Sequence, residues 1–141
     1  MLPLGANAPK FDLIDTLSKQ TKSYKSLKRP KGMLVMFICN HCPYVLHIQE
    51  SLVAVGNKYL ELGIGVVAIS SNDVVAYPED DPVKMEQFAL NLGFKFPYLY
   101  DENQAVAKSY EAACTPDFYL FDHDDDLVYR GRFDASRPGN N

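Results

Sequence analysis

Apolar side chains fall in blocks along this chain, and the spacing within each block predicts its element. Met33–Ile38 (MLVMFI) is an unbroken apolar run of six, which predicts a central parallel strand covered on both faces. From there the period lengthens. Val45, Ile48, Leu52, Val55, Tyr59 and Leu62 form one stripe at helical spacing, ended by Gly63 and Gly65. Gly65–Ser70 (GVVAIS) predicts a second strand. After a turn-rich loop, Asp81 and Pro82 supply an N-cap and a first-turn proline for a helix running to about Leu92. Phe96–Tyr100 predicts a third strand. Asp101, with Gln104 three residues on, predicts a capping box and a helix to about Ala113. Asp117–Phe121 and Leu127–Phe133 predict two strands joined at the turn His123–Asp126, hence an antiparallel hairpin. Ahead of these, Phe11–Leu27 predicts a small strand pair and one helical turn. The tail DASRPGNN has no helical pattern and is expected to fray.

The order β-α-β-α-β-α-β-β predicts an α/β fold with a central mixed sheet flanked by helices. The 141 residues suit one domain, large enough to bury a core without covalent staples. A net charge of −4 argues against nucleic acid as partner, because phosphate binding needs a basic surface. The cluster Lys22, Lys25, Lys28, Arg29, Lys31 reads as a solvated face. No apolar run is long enough to span a bilayer, so no membrane partner is expected. MLPLGANAP has neither a basic leader nor an apolar h-region, so the chain is expected to be cytoplasmic.

In that setting the stretch FICNHCPYV carries the chemistry. Cys39 falls at the end of the first long strand and Cys42 at the start of the helix, with Asn40 and His41 between them and Pro43 in the first turn. Two close thiols in a cytosolic chain point to redox chemistry or metal. A sulfur at a helix N-terminus faces free N–H groups and the positive dipole end. Such settings lower a cysteine pKa from ~8.5 to ~3.5–7.5. The three-residue spacing lets one sulfur attack a disulfide and the other resolve the product. Cys39 is assigned as nucleophile, Cys42 as resolving thiol and His41 as the group that tunes the thiolate. Thr115-Pro116, just ahead of a strand, is a candidate cis bond that turns the preceding backbone toward the cysteines. Thr115, Asn40, Pro43 and Tyr44 are read as the partner-contacting set, with Pro116 shaping the site.

Other readings of the same residues are weaker. Structural zinc needs a second ligand pair, and neither Cys114 nor His47 and His123 have the spacing. Copper bound by the two thiols needs a third ligand that the sequence does not place. A haem motif needs histidine where Pro43 stands. Cys114 reads as a small buried hydrophobe rather than a third redox thiol. His47 is read as packing or facing solvent, and Asp122, Asp124, Asp125 and Asp126 as a solvated turn.

Taken in succession, LGANAPKFDL, GMLVMFICNHCP, GVVAISSND, PYLYDENQAVAKSY, TPDFYLFD and LVYRG resemble the redoxin (AhpC/TSA, peroxiredoxin-like) branch of the thioredoxin fold. The resemblance runs from Leu4 to about Gly139. It implies a thioredoxin-like sheet with an N-terminal strand extension, the CxxC at the first long helix, and a cis Pro116 opposite. The fold commonly ends in a further helix. None is read after Phe133, so the chain is expected to stop short of it. There are also departures. The peroxiredoxin pattern PxxxTxxC would place its peroxidatic cysteine on Cys42, its threonine on Cys39 and its proline on Val35, and its arginine falls on Pro116. Two groups that organise the peroxide oxyanion are thus missing. Met33 occupies the position of thioredoxin's buried aspartate, so no buried base is expected unless another segment supplies one. Ile38, not tryptophan, precedes the first cysteine.

The expected activity is thiol–disulfide exchange with a protein dithiol or small-thiol partner, without organic cofactor or metal. Its reduction potential is expected to be less negative than thioredoxin's ~−270 mV. Two alternatives stay open: thiol-dependent peroxide reduction with an antioxidant role, and a non-enzymatic metal- or partner-binding module.

Overall fold

The computed structural model describes residues 2–112 and 115–132. Its strands are β1 (Asp12–Asp15), β2 (Thr21–Ser23), β3 (Gly32–Phe37), β4 (Ile64–Ser70), β5 (Tyr98–Tyr100), β6 (Asp117–Phe121) and β7 (Leu127–Gly131). Its helices are α1 (Tyr24–Leu27), α2 (Pro43–Glu61), α3 (Pro82–Leu92) and α4 (Ala105–Ser109), with a 3-10 turn at Pro78–Asp80. The strands form one mixed sheet in the order β2-β1-β5-β4-β3-β6-β7. Strands β3, β4 and β5 run parallel, while β6 is antiparallel to β3 and β7 to β6.

The alternation within β3 divides the core. Met33, Val35 and Phe37 join Tyr24, Tyr110, Tyr119 and Phe121 in an aromatic cluster on one face. Leu34, Met36 and Ile38 meet Val45, Ile48, Leu52, Met85 and Phe96 on the other. Both faces of β3 are therefore covered, as the apolar run requires. On α2, Val45, Ile48 and Leu52 are buried as the stripe predicts, but Val53 and Gly56 complete the buried face and Leu62 is exposed. Gly56 allows close approach, since a Cβ there would stand 2.6 Å from the Phe96 ring.

Some boundaries differ from the sequence reading. Gly63, at φ +88, does end α2, but Gly65 lies inside β4, where a Cβ would meet the Leu27 carbonyl and, at 2.7 Å, the Met33 sulfur. Strand β5 begins only at Tyr98, because Pro97 has no N–H to give to the ladder. Asp101 is not the N-cap of α4. Gln104 holds that place at φ +63, and the buried Asp101 carboxylate reaches forward to accept from the Val106 and Ala107 N–H groups at 3.2 and 2.9 Å. Asp81 does cap α3, accepting from Lys84 N–H at 2.8 Å. Helix α4 ends at Ser109 with Tyr110 as its C-cap, short of the predicted end near Ala113. Cys114, the extension of the last strand to Phe133 and the expected fraying of the tail fall outside the described residues. Among the described residues no helix is long and apolar enough to cross a membrane.

The register sets up the site. Phe37 on β3 pairs with Asp117 on β6, so the residues just beyond the ladder, Cys39 and Thr115, face each other. Phe37 also pairs with Ile69 on β4, which brings the loop after β4 alongside the same end of β3. The cysteines thus sit outside the carboxyl ends of two parallel strands, a common location for sites in such sheets.

Candidate active site around two cysteines

Cys39 follows β3, and Cys42 is the N-cap of α2 with Pro43 at the first helical position. The Thr115–Pro116 bond is cis, as the sequence suggested. Thr115 touches both sulfurs. Its Oγ1 lies 3.5 Å from Cys39 Sγ, and its carbonyl accepts from Cys42 Sγ at 3.4 Å. The Cys42 backbone N–H donates to Cys39 Sγ at 3.2 Å. Both cysteines are free thiols. They line an open cleft of about 610 Å³ together with His41, Pro43, Tyr77 and Thr115.

The two cysteines differ in overall exposure. Cys39 is 1% exposed, whereas Cys42 is half-buried. Burial pushes the Cys39 thiol up from 9.0 to about 11. Thr115's hydroxyl opposes the rise, the Asp80 carboxylate and Cys42 add to it, and the Cys42 N–H opposes it. The lowered pKa expected of Cys39 is therefore not found: one helix-end N–H does not offset the loss of hydration. The oxidising potential expected from that thiolate loses the same support.

A residue missed in the sequence stands behind the motif. Asp80, at the end of the 3-10 turn, is wholly buried. Its carboxylate accepts from Asn40 N–H at 2.7 Å and from Asn72 Nδ2 at 2.8 Å, and lies 2.6 Å from His41 Nδ1. The histidine contact is close but badly angled for a hydrogen bond. Tyr77 stacks on the His41 ring, 4.7 Å away and 14° from parallel. The buried acid absent from position 33 is thus supplied by another segment. The run PEDD gave little sign of it, because a buried aspartate and a capping aspartate look alike in sequence. Pro78 opening a short turn was the one usable signal.

Asn40 turns away from the cleft. Its amide donates to Glu79 O at 2.8 Å, and its Oδ1 accepts from Tyr98 OH at 2.9 Å. Burial, with charge on Cys39 and Asp80 adding to it, holds that phenol well above its ordinary range. Tyr44 is exposed on the first turn of α2, and Pro43 rather than Tyr44 is part of the cleft wall. His47 is exposed on α2, away from the cleft. Ser71, Gln104 and Lys108 also line the cleft, and the sequence did not point to them. A cysteine, a histidine and an acid come together at Cys39, His41 and Asp80, where one ligand atom of each lies within 4.8 Å of the others.

The sheet order, the helix that starts at the second cysteine and the cis proline opposite define a thioredoxin-like protein. The AhpC/TSA family matches residues 4–130, and the chain belongs to it. An uncharacterized conserved protein from Geobacillus kaustophilus is similar in structure, with 51% identity and a TM-score of 0.96 over 99% of this chain and 74% of that one. The thioredoxin domain of a Bacteroides vulgatus thiol-disulfide oxidoreductase shares the fold at 19% identity, with a TM-score of 0.76 over 92% of this chain and 89% of that one. The thiol-disulfide oxidoreductase ResA of Bacillus anthracis is 25% identical over 130 residues, which cover 90% of this chain and 68% of ResA.

Proposed function

We propose that this chain is a thiol–disulfide oxidoreductase in which Cys39 and Cys42 cycle between dithiol and disulfide against a disulfide of a protein or small-thiol partner. The observation that carries this reading is the meeting of both sulfurs on Thr115, at 3.5 and 3.4 Å, in a cleft open to solvent. A pair held by one residue can pass a bond from partner to protein without large movement, because the second thiol already lies beside the mixed disulfide. Membership of the AhpC/TSA family and the similarity to ResA, named as a thiol-disulfide oxidoreductase, support the same chemistry. The test is to react the reduced protein with glutathione disulfide and map the product. A Cys39–Cys42 bridge with two equivalents of glutathione released supports the proposal. A stable glutathione adduct with no bridge contradicts it.

Peroxide reduction is a second reading, favoured by the greater exposure of Cys42 at the start of α2. In that case sulfenic acid would form on Cys42 before any bridge.

A further inference from the structure

A residue outside the cysteine stretch governs how the pair closes, and this inference rests on the dithiol reading just proposed. We infer that Tyr98 is a positioning residue: from β5, through Asn40, its phenol holds the loop between the cysteines in the shape from which the Cys39–Cys42 disulfide forms.

Tyr98 is anchored along its whole length. It is wholly buried. Its backbone N–H donates to Asp15 Oδ1 at 3.2 Å, and its carbonyl accepts from Thr16 N–H at 2.9 Å and from Thr16 Oγ1 at 2.8 Å. Its ring packs against Phe94 and Phe88, with centroids 5.5 and 6.3 Å away. The hydroxyl at the far end donates to Asn40 Oδ1 at 2.9 Å. Burial holds the phenol well above its ordinary range, so it remains a donor wherever thiols titrate.

Asn40 carries that anchor into the loop. Its Oδ1 is taken by Tyr98, its Nδ2 donates to Glu79 O at 2.8 Å, and its backbone N–H donates to Asp80 Oδ1 at 2.7 Å. The amide has one workable orientation, because the Glu79 carbonyl can only accept and so requires Nδ2. The stretch being held is short. Cys39 follows β3, whose pairing with β4 continues in the bond from Ile38 N–H to Ile69 O at 3.0 Å, and Cys42 caps α2. Only Asn40 and His41 lie between the cysteines, and Tyr77 stacks on the His41 ring.

This grip bears on closure. Joining two sulfurs through a loop orders the loop, and ordering each residue opposes the bond. A loop that is already held loses little further freedom, so the second thiol acts at a high effective concentration. The held shape keeps both sulfurs against Thr115, at 3.5 and 3.4 Å, with the Cys42 N–H 3.2 Å from Cys39 Sγ. Tyr98 touches neither partner nor sulfur through a hydrogen bond. It acts through Asn40, and freeing Asn40 loosens the pair while β3 and α2 stay in place.

The reaction that reads this is exchange with glutathione disulfide. One cysteine thiolate attacks it, the first glutathione leaves with the electron pair, and a mixed disulfide remains. The other cysteine, as thiolate, then attacks the cysteine sulfur of that mixed disulfide, and the second glutathione leaves. The protein loses two electrons and its two thiol protons, and one glutathione disulfide becomes two glutathiones. The equilibrium constant of the whole exchange is the effective concentration of the pair.

The experiment measures that constant by acid quench and alkylation in graded glutathione buffers. Tyr98→Phe, which removes only the hydroxyl, should lower it about tenfold, equivalent to ~30 mV. Asn40→Ala should lower it by a similar factor, and it carries the test alone if Tyr98→Phe does not fold. The double variant should fall no further than Asn40→Ala, since both remove one path. Tyr110→Phe is the control. It removes a buried phenol bond on the other face of the sheet, to Pro9 O at 2.8 Å. It should lose stability in urea and leave the exchange constant unchanged. A wild-type or raised constant in both Tyr98→Phe and Asn40→Ala overturns the inference. So does a Tyr110→Phe constant that falls as far as that of Tyr98→Phe, because the effect is then general loosening. Additive losses in the double variant overturn the path through Asn40. Failure of the dithiol reading itself looks different: wild-type protein that forms no Cys39–Cys42 bridge at any glutathione ratio.

Discussion

The backbone N–H of Cys42, the N-cap of the long helix α2, points at the sulfur of Cys39, 3.2 Å away. The contact ties the cysteine pair to the helix end, yet the sulfur that receives it is the buried one. Burial outweighs the dipole there and holds the thiol protonated up to about 11.

That balance has a consequence for alkaline stability. The folded pKa of Cys39 lies above its unfolded value, so the unfolded chain gives up this proton first. Stability from this group is fully present below pH ~9 and is lost as pH rises to about 11. At about 1.4 kcal/mol per unit, two units amount to roughly 2–3 kcal/mol. Denaturant unfolding of the reduced protein between pH 8 and 11 should show this fall, and Cys39→Ala should show less of it. The buried phenols of Tyr24, Tyr110 and Tyr119, raised chiefly by burial, add a further fall at higher pH in both proteins.

Asp101 is a second lever on the site. Its buried carboxylate accepts from two N–H groups of α4 and from Ser71 Oγ at 2.7 Å, and Ser71 is in the cleft wall. Asp101→Ala leaves those donors unpaired and should cost about 2–4 kcal/mol in urea unfolding at pH 7. Asp101→Asn, which keeps one acceptor oxygen, should cost less.

Peroxide should be a poor substrate. On that resemblance, the threonine and arginine that would organise a peroxide oxyanion are replaced by Cys39 and Pro116. One such donor is commonly worth about 100-fold or more in rate. Stopped-flow consumption of hydrogen peroxide by reduced protein should therefore run at least about 100-fold slower than exchange with dipyridyl disulfide. Comparable rates would favour the peroxidase reading.

Much of the fold was legible because its signals are local. Six apolar residues in a row marked β3, Asp81-Pro82 marked the start of α3, and the hairpin was marked by its turn. The cysteine pair and the cis proline were legible for the same reason: each is a short motif beside an element boundary. The rest depends on contacts between distant segments. The reading of Asp101 as a cap with Gln104 failed because the carboxylate bonds further along the chain while Gln104 turns to Ser71 O. Gly65 looked like a helix stop, but it is a strand residue pressed against Leu27 and Met33. Asp80 gave no signal of burial, because its partners Asn40, His41 and Asn72 come from two other stretches. The meeting of Cys39 with Thr115 likewise follows from the β3–β6 register, which no sequence period encodes.

The central claim is that Cys39 and Cys42 act as one two-electron couple, and equilibration in graded glutathione buffers followed by alkylation and peptide mapping tests it most directly. The account requires both thiols to disappear in a single transition, with a tenfold change in the oxidised-to-reduced ratio per ~30 mV, and the product to be a Cys39–Cys42 bridge. Two separate transitions, or thiols that stay independently alkylated at every potential, would contradict it.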